Sequence, residues 1–575
     1  MKKLMLGNEA IARGLYEAGC EVVSAYPGTP STEITEYAAK YDEIYCEWAT
    51  NEKVAMEAVF GASLAGKRAA CAMKHVGLNV AADPLFTFSY VGVNGGAVIC
   101  VADDPAMHSS QNEQDSRHYA IAAKLPMLEP SDSREAKEFT KAAFELSERF
   151  DTPVMIRTCT RIAHAQCTVE LEDRKAVDPV PYVKNPEKFL MSPAFAAKRH
   201  PIIEKRMEDF AQYAAASPLN RIENGKDSRL GIITSGTCYE YVKEVFGDDA
   251  GILKLGIINP IPANLVKVFA ERYDRVVVVE ELDPVIETFC KSIGVDVEGK
   301  NLFPVLYEFN QTMVAKAFGI EPEKHPEKKT VPARPPIMCA GCPHRGLFYV
   351  LSKNKITVLG DIGCYTLGGA VPLNAIDSVL CMGASVSGIH GFLKAGGDPT
   401  KTAAVIGDST FMHSGMTGLA NIAYNGSNAT VIIVDNSTTG MTGHQHNPTT
   451  GYNIKGEPAA KIDLEALCHA LGINRVKVVD PYDLKETERI VLEELSINEP
   501  SVIISRRPCV LLKSVKHNPP IQVNLDKCKF CKSCMRIGCP AIYVENGEIT
   551  IHSTLCTGCG ICRQMCAFDA LGGDV

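Results

Sequence analysis

Residues 404–443 read AVIGDSTFMHSGMTGLANIAYNGSNATVIIVDNSTTGMTG. An apolar run, Ala403 to Ile406, stops at Gly407-Asp408-Ser409. A helix-like segment from about Met412 to Tyr424 follows. A second apolar run, Thr430 to Val434, then stops at Asp435-Asn436-Ser437-Thr438. Strand, crossover helix and strand make the repeating unit of a parallel sheet, and such sheets take ligands at the carboxyl ends of their strands. Asp408 and Asn436 stand at two such ends, so one hard cation can draw an oxygen from each. The backbone carbonyl of Thr438 offers a third. Mg²⁺ wants about six oxygens and takes the remainder from phosphate and water. Gly407 lets the chain turn sharply, and backbone amides around Ser409 suit a phosphate.

The chain has 575 residues, enough for several domains. Hydrophobic residues at 46% and charged residues at 22% describe a soluble globular protein. A net charge of −9 and the lack of a long basic run exclude a nucleic-acid binder. The start, MKKLMLGNEAIARG, holds only Leu4-Met5-Leu6 before polar residues, too short for a signal sequence. No run approaches the roughly 18 apolar residues of a membrane span, so the expected location is cytoplasmic. With 22 cysteines and no secretion signal, metal or cluster ligation is expected over disulfides.

Residues 1–170 alternate strand-like and helix-like pieces and predict a doubly wound α/β domain. Helices are expected at Asn8 to Glu17, at Glu33 to Tyr41 with Ser31 or Thr32 as cap, and at Glu52 to Ala65 capped by Asn51. Residues 171–225, polar and proline-containing, look like a linker. Residues 226–325 predict a middle α/β domain without a catalytic constellation. A basic, proline-rich joint leads into a third α/β domain, 326–515, which holds the opening stretch. It also contains Cys339-Ala340-Gly341-Cys342, Gly363-Cys364-Tyr365 and Cys509. Alone, C-x-x-C reads as a redox dithiol or half a zinc site, and Cys364 and Cys509 as buried thiols.

The last stretch, 520–575, is more specific. Cys528, Cys531, Cys534 and Cys539-Pro540 are followed by Cys556, Cys559, Cys562 and Cys566. This resembles the two-cluster bacterial ferredoxin domain. In that pattern three cysteines at two-residue spacing wrap one cubane, and the fourth of each run crosses to the other. The resemblance implies one [4Fe–4S] on Cys528, Cys531, Cys534 and Cys566, and another on Cys539, Cys556, Cys559 and Cys562. The first run has an extra residue before its last cysteine, and Ala567 replaces the second proline.

G-D-S followed some thirty residues later by Asn is similar to the diphosphate and Mg²⁺ motif of thiamine-diphosphate enzymes, with Asp435-Asn436 where Asn-Asn is usual. Such enzymes need a carboxylate at the cofactor's pyrimidine ring. Glu47, Glu52 and Glu57 are candidates, and Glu52 at a helix start can point into a cleft. Thiamine joined to low-potential clusters resembles the 2-oxoacid:ferredoxin oxidoreductases over essentially the whole chain. Within that family it resembles the branch acting on aryl pyruvates such as indolepyruvate and phenylpyruvate. The resemblance implies loss of CO₂ from the 2-oxoacid, oxidation one electron at a time, and transfer of the acyl group to coenzyme A.

Residue by residue, GNEAIARG and YPGTPSTE resemble family segments that imply Thr29 beside the substrate, and ATNEKVAMEAVFGAS resembles the one bearing the pyrimidine-binding Glu, which implies Glu52. NEQDSRHYA makes Arg117 a candidate for the substrate carboxylate, although its spacing is shorter than the family's. C-x-G-C and G-C-Y resemble segments with ligands of a cluster beside thiamine. They imply a third [4Fe–4S] on Cys339, Cys342, Cys364 and Cys509, with Gly363 and Cys364 against the cofactor. Gly407, Asp408, Ser409, Asn436 and Thr438 match the Mg²⁺-diphosphate site. A smaller β subunit, an α2β2 assembly and external ferredoxin are implied as partners. A non-redox thiamine decarboxylase or transferase, another 2-oxoacid, and a non-enzymatic electron-transfer subunit stay open at this point.

Overall fold

The computed structural model describes residues 1–226, 229–321, 331–332 and 334–572. The chain divides into two compact units, Met1–Lys328 and Lys329–Val575.

The first unit is built on a seven-stranded sheet. Its order is Ile257–Asn259, Met127–Leu128, Val154–Cys159, Ala97–Asp103, Ala69–Lys74, Val22–Ala25 and Tyr45–Trp48. All pairings are parallel except that of Ile257–Asn259 with Met127–Leu128. Strands Ala69–Lys74 and Ala97–Asp103 are buried along their entire length, which is why they read as unbroken runs of small apolar residues. Helix Glu52–Leu64 starts where expected, with Asn51 accepting the Val54 N–H at 2.9 Å. Ser31 also takes the cap position of helix Thr32–Ala38, but its hydroxyl donates to the Gly28 carbonyl and does not cap.

The middle stretch forms its own sheet, ordered Arg275–Val279, Leu230–Ser235, Gly251–Leu255 and Arg221–Glu223. It is also tied to the first part, because its strand Ile257–Asn259 completes the seven-stranded sheet. The linker expected at 171–225 is corrected: the segment carries helix Pro193–Ala216 and strand Arg221–Glu223. The helix buries Ile203, Phe210 and Ala214, positions that share one face. Arg206 donates to the carbonyls of Ser89 and Asp151, both at 2.9 Å. Pro193 falls in the first turn, where a missing N–H costs nothing, while Pro201 lies inside the helix, so proline content alone misleads here.

The second unit holds a five-stranded, wholly parallel sheet, ordered Thr357–Leu359, Thr402–Gly407, Thr430–Asp435, Ser501–Arg506 and Arg475–Val479. Gly407 pairs with Val434, so the loops holding Asp408 and Asn436 leave the sheet side by side. The crossover helix starts earlier than the expected Met412. It begins at Asp408–Thr410, passes through a π-helical turn at Phe411–Gly415, and continues as Met416–Asn425. Such a turn inside a helix often marks a functional site.

The cysteine-rich tail shares this unit's core. Ile521, Ile537, Ile549 and Ile561 pack with Leu347 and Val350 of helix His344–Lys353. Buried Arg345 donates to the Gly538 carbonyl at 2.6 Å. Among the described residues, no helix is long and apolar enough to cross a membrane.

Candidate active site

Asp408 is the first residue after strand Thr402–Gly407 and is 2% exposed. Gly407 has to be glycine, because a Cβ there would stand 2.6 Å from the Tyr365 ring. A Cβ on Gly363 would meet the same ring, at 2.4 Å. Asn447 and Thr449 donate to Asp408 Oδ2 at 3.4 and 3.1 Å. Asn436 is also buried, and its Oδ1 accepts the Thr438 N–H at 3.3 Å. Thr439 Oγ1 donates to Ser409 Oγ at 2.9 Å, tying the two loops together. Asp361 fixes the floor: its carboxylate accepts from the backbone amides of Ile362, Gly383 and Ser385.

The donor set is one carboxylate, one amide oxygen and a backbone carbonyl, all hard oxygens. Burial, together with the Asp435 carboxylate, pushes the Asp408 carboxyl up to about 7. An anion is expensive there unless a cation accompanies it. Asp435 itself turns to Arg506, at 2.9 Å. The residues present therefore fit Mg²⁺ with a diphosphate completing its shell.

Thiols surround the same edge. The point a Cβ of Gly440 would occupy lies 3.4 Å from Cys364 Sγ and 3.6 Å from Asn436 Nδ2. The Cys509 N–H donates to the Asn436 carbonyl at 2.9 Å. Burial and the nearby Cys509 and Cys339 push the Cys364 thiol up to about 11. Burial, with Cys339 and Cys364 adding to it, takes Cys342 up to about 12. Of the four thiols implied for a third cluster, Cys339 and Cys509 thus bear on Cys364, and Cys339 and Cys364 on Cys342. In the tail, Cys528, Cys531, Cys534 and Cys566 line one hollow, and Cys539, Cys556, Cys559 and Cys562 line another. These are the two sets the ferredoxin-like spacing implies. Quartets of thiols converging on one hollow suit iron, which binds them as thiolates.

The other candidate residues belong to the first unit. Glu52 opens helix Glu52–Leu64 and is 4% exposed. Its carboxyl lies over Gly77, where a Cβ would be 2.6 Å from Oε1. Glu57, by contrast, is exposed and paired with Lys53. Glu47 is held by the hydroxyls of Ser24 and Tyr45 at 2.8 and 2.9 Å. Thr29 is half-buried, and its carbonyl accepts from Ser109 Oγ at 3.1 Å.

Arg117 requires a correction. It is 1% exposed, and each of its side-chain nitrogens is committed. Nε and Nη2 donate to Asp115, Nη1 donates to Glu280 at 2.5 Å, and Nη2 also reaches the carbonyls of Glu281 and Asp283. Arg117 braces the first sheet against the middle domain and leaves no fork for a substrate carboxylate.

Comparison with known proteins agrees with this architecture. Residues 13–226 match the thiamine-diphosphate-binding model of pyruvate flavodoxin/ferredoxin oxidoreductases. Residues 361–505 match the C-terminal thiamine-pyrophosphate-binding domain of thiamine pyrophosphate enzymes. The chain is 42% identical to the indolepyruvate oxidoreductase subunit IorA of Pyrococcus horikoshii, over 99% of its own length and 96% of that protein's. This chain belongs to the IorA family of indolepyruvate oxidoreductase subunits. The corresponding Archaeoglobus fulgidus protein is 41% identical over 98% of the chain. A 2-oxoglutarate synthase subunit KorA from the same organism is 26% identical over 48% of it.

Membership makes the chain an oxidoreductase subunit of the 2-oxoacid:ferredoxin class with thiamine-binding domains. Residues missed by sequence reasoning now stand out. Asn447 and Thr449 support Asp408 from a loop with no motif, and Asp361 acts through backbone amides that no side-chain pattern reveals. The G-D-x-G pattern at 360–363 was the available signal for Asp361.

Proposed function

We propose that this chain is the thiamine- and cluster-bearing subunit of an enzyme oxidising aryl 2-oxoacids of the indolepyruvate and phenylpyruvate type. The reaction takes 2-oxoacid and coenzyme A to aryl-acetyl-CoA, CO₂ and a proton. The two electrons pass through [4Fe–4S] clusters to two one-electron external ferredoxins. The observation that carries this reading is the placement of Cys364 beside Asn436, which puts a thiol set at the edge suited to Mg²⁺-diphosphate. The aryl preference is supported by the relatives named for indolepyruvate.

Thiamine diphosphate, when bound, supplies the electron sink that lets the bond to the carboxylate break. Asp408, Asn436 and Thr438 would hold its Mg²⁺, and the amides around Ser409 its phosphates. Glu52 would hold a proton against the pyrimidine ring, and Thr29 would face the substrate. Cys339, Cys342, Cys364 and Cys509 would hold a cubane that shortens the first electron hop. The tail sets would carry electrons outward. A β subunit in an α2β2 assembly in the cytoplasm completes the proposal.

The direct test is anaerobic viologen reduction by the chain with its β subunit. Turnover should require coenzyme A and favour aryl pyruvates over pyruvate and 2-oxoglutarate, with substrate-dependent bleaching of cluster absorbance. Preference for a small 2-oxoacid would reject the aryl assignment, and absence of bleaching would favour a non-redox decarboxylase.

Iron analysis tests the third cluster. Three cubanes give roughly twelve iron atoms per chain and two give roughly eight. The expected value is near twelve, falling by about four when Cys339 and Cys342 are both changed to serine. A value near eight in both proteins rejects the site. Air should also inactivate the enzyme, because all eight tail cysteines lie in one short segment and Cys531 is exposed. Full activity after a day in air would argue for zinc in the tail.

A further inference from the structure

With Arg117 committed to Asp115 and Glu280, the substrate's carboxylate lacks a partner. The other cations near the carboxyl ends of the seven-stranded sheet are committed as well. Arg157 pairs with Asp103 and Glu129, and Arg161 with Glu308. Lys74 differs. It is the last residue of strand Ala69–Lys74, is 9% exposed, and among the described residues forms no ion pair. Its Nζ donates to the Ser109 carbonyl at 2.9 Å. An ammonium has three donors, so two lack an acceptor among the described residues, an uneconomical arrangement in a dry site.

The surroundings are those of the proposed site. The Lys74 stem passes 3.2 Å from the Cβ position of Gly28, in the loop that carries Thr29. The residue that accepts its bond, Ser109, also donates to the Thr29 carbonyl. Three residues after Lys74 stands Gly77, against which the Glu52 carboxyl lies. Burial lowers the Lys74 ammonium to about 8, against the pull of Asp104 and Glu52. Asp104 does not need this cation: Ser109 N–H, Ser110 Oγ and Thr160 Oγ1 already donate to it, at 2.8, 2.7 and 2.7 Å. The next residue, His75, is 1% exposed and leaves Nδ1 without a partner among the described residues, a second unpaired polar atom at this strand end.

We propose that Lys74 is the cation that receives the carboxylate of the 2-oxoacid, the place Arg117 does not fill. This rests on the function proposed above and adds to it the residue that selects an anionic substrate. A single point charge fits a group that must leave as neutral CO₂ better than a bidentate fork would, because it holds the departing charge less rigidly.

The test is Lys74→Met in the complete enzyme with its β subunit. KM for the aryl 2-oxoacid should rise about 10- to 100-fold, the worth of one charged hydrogen-bonded contact. KM for coenzyme A, thiochrome-assayed cofactor and iron content should match the parent. Should the methionine variant not fold, Lys74→Gln keeps a donor for the Ser109 carbonyl, and its KM must rise likewise. An unchanged KM for the 2-oxoacid, or loss of thiamine diphosphate from the variant, overturns the assignment while leaving the function intact. Failure of the parent enzyme to turn over any 2-oxoacid overturns both.

Discussion

Asp408→Ala yields a folded chain that holds no thiamine diphosphate. The change removes the one anionic side chain proposed for the Mg²⁺ shell, and no neighbour replaces it: Asn447 and Thr449 are neutral donors, and Asp435 is turned to Arg506. Breaking one partner from a buried charge pair costs roughly 3–5 kcal/mol. That is on the order of a thousandfold in affinity. A thiochrome assay on the purified variant reads the result directly, and retained cofactor would reject the site. Asp408→Asn separates binding from folding. In the metal-free chain the Asp408 carboxyl titrates near 7, against about 4 when unfolded. The folded chain then binds the extra proton between those values. Its stability therefore falls as pH rises from about 4 to about 7 and levels above. The amide removes this dependence and still accepts the Thr449 bond. Above pH 7 the metal-free Asp408→Asn chain should melt no lower than the metal-free parent.

Glu52→Gln keeps the cofactor and loses turnover by roughly 10²- to 10⁴-fold, the range for removing a positioned proton-transfer group. Glu57, exposed beside Lys53, and Glu47, held by Ser24 and Tyr45, are not placed to substitute. Near-normal turnover would transfer the role to one of them. Gly77→Ala probes the same carboxyl without changing its chemistry. The new methyl would stand 2.6 Å from Oε1 and 2.9 Å from Cδ of Glu52, so the carboxyl must move. Turnover should fall by about tenfold or more, because small displacements of catalytic groups are costly. Thiamine content should hold, and the helix should not weaken, because alanine suits a helix better than glycine. An unchanged kcat in Gly77→Ala would show that the position of Glu52 does not limit the reaction.

What the sequence by itself determined is what short-range spacing dictates. The tail's eight cysteines could be sorted into two quartets from spacing and resemblance, and those quartets line the two hollows. The strand, glycine-acid turn and crossover around Asp408 were equally legible, because a buried parallel strand is a continuous apolar run and its end is marked by Gly and Asp. Tertiary structure alone decided matters of burial and long-range pairing. Arg117 opens a helix and Lys74 ends a buried apolar strand, and neither position tells in sequence what the cation faces. Only packing commits the first to Asp115 and Glu280 and leaves the second without a carboxylate. The meeting of Cys364 and Cys509 with the Cys339 loop spans about 170 residues of chain, a distance that no local pattern encodes. The helix at Pro193–Ala216 was hidden for a different reason. Its alanines, glutamates, lysines and arginines favour a helix, but Pro193 and Pro201 mask that signal, and burial of Ile203 and Phe210 against distant segments fixes it in place.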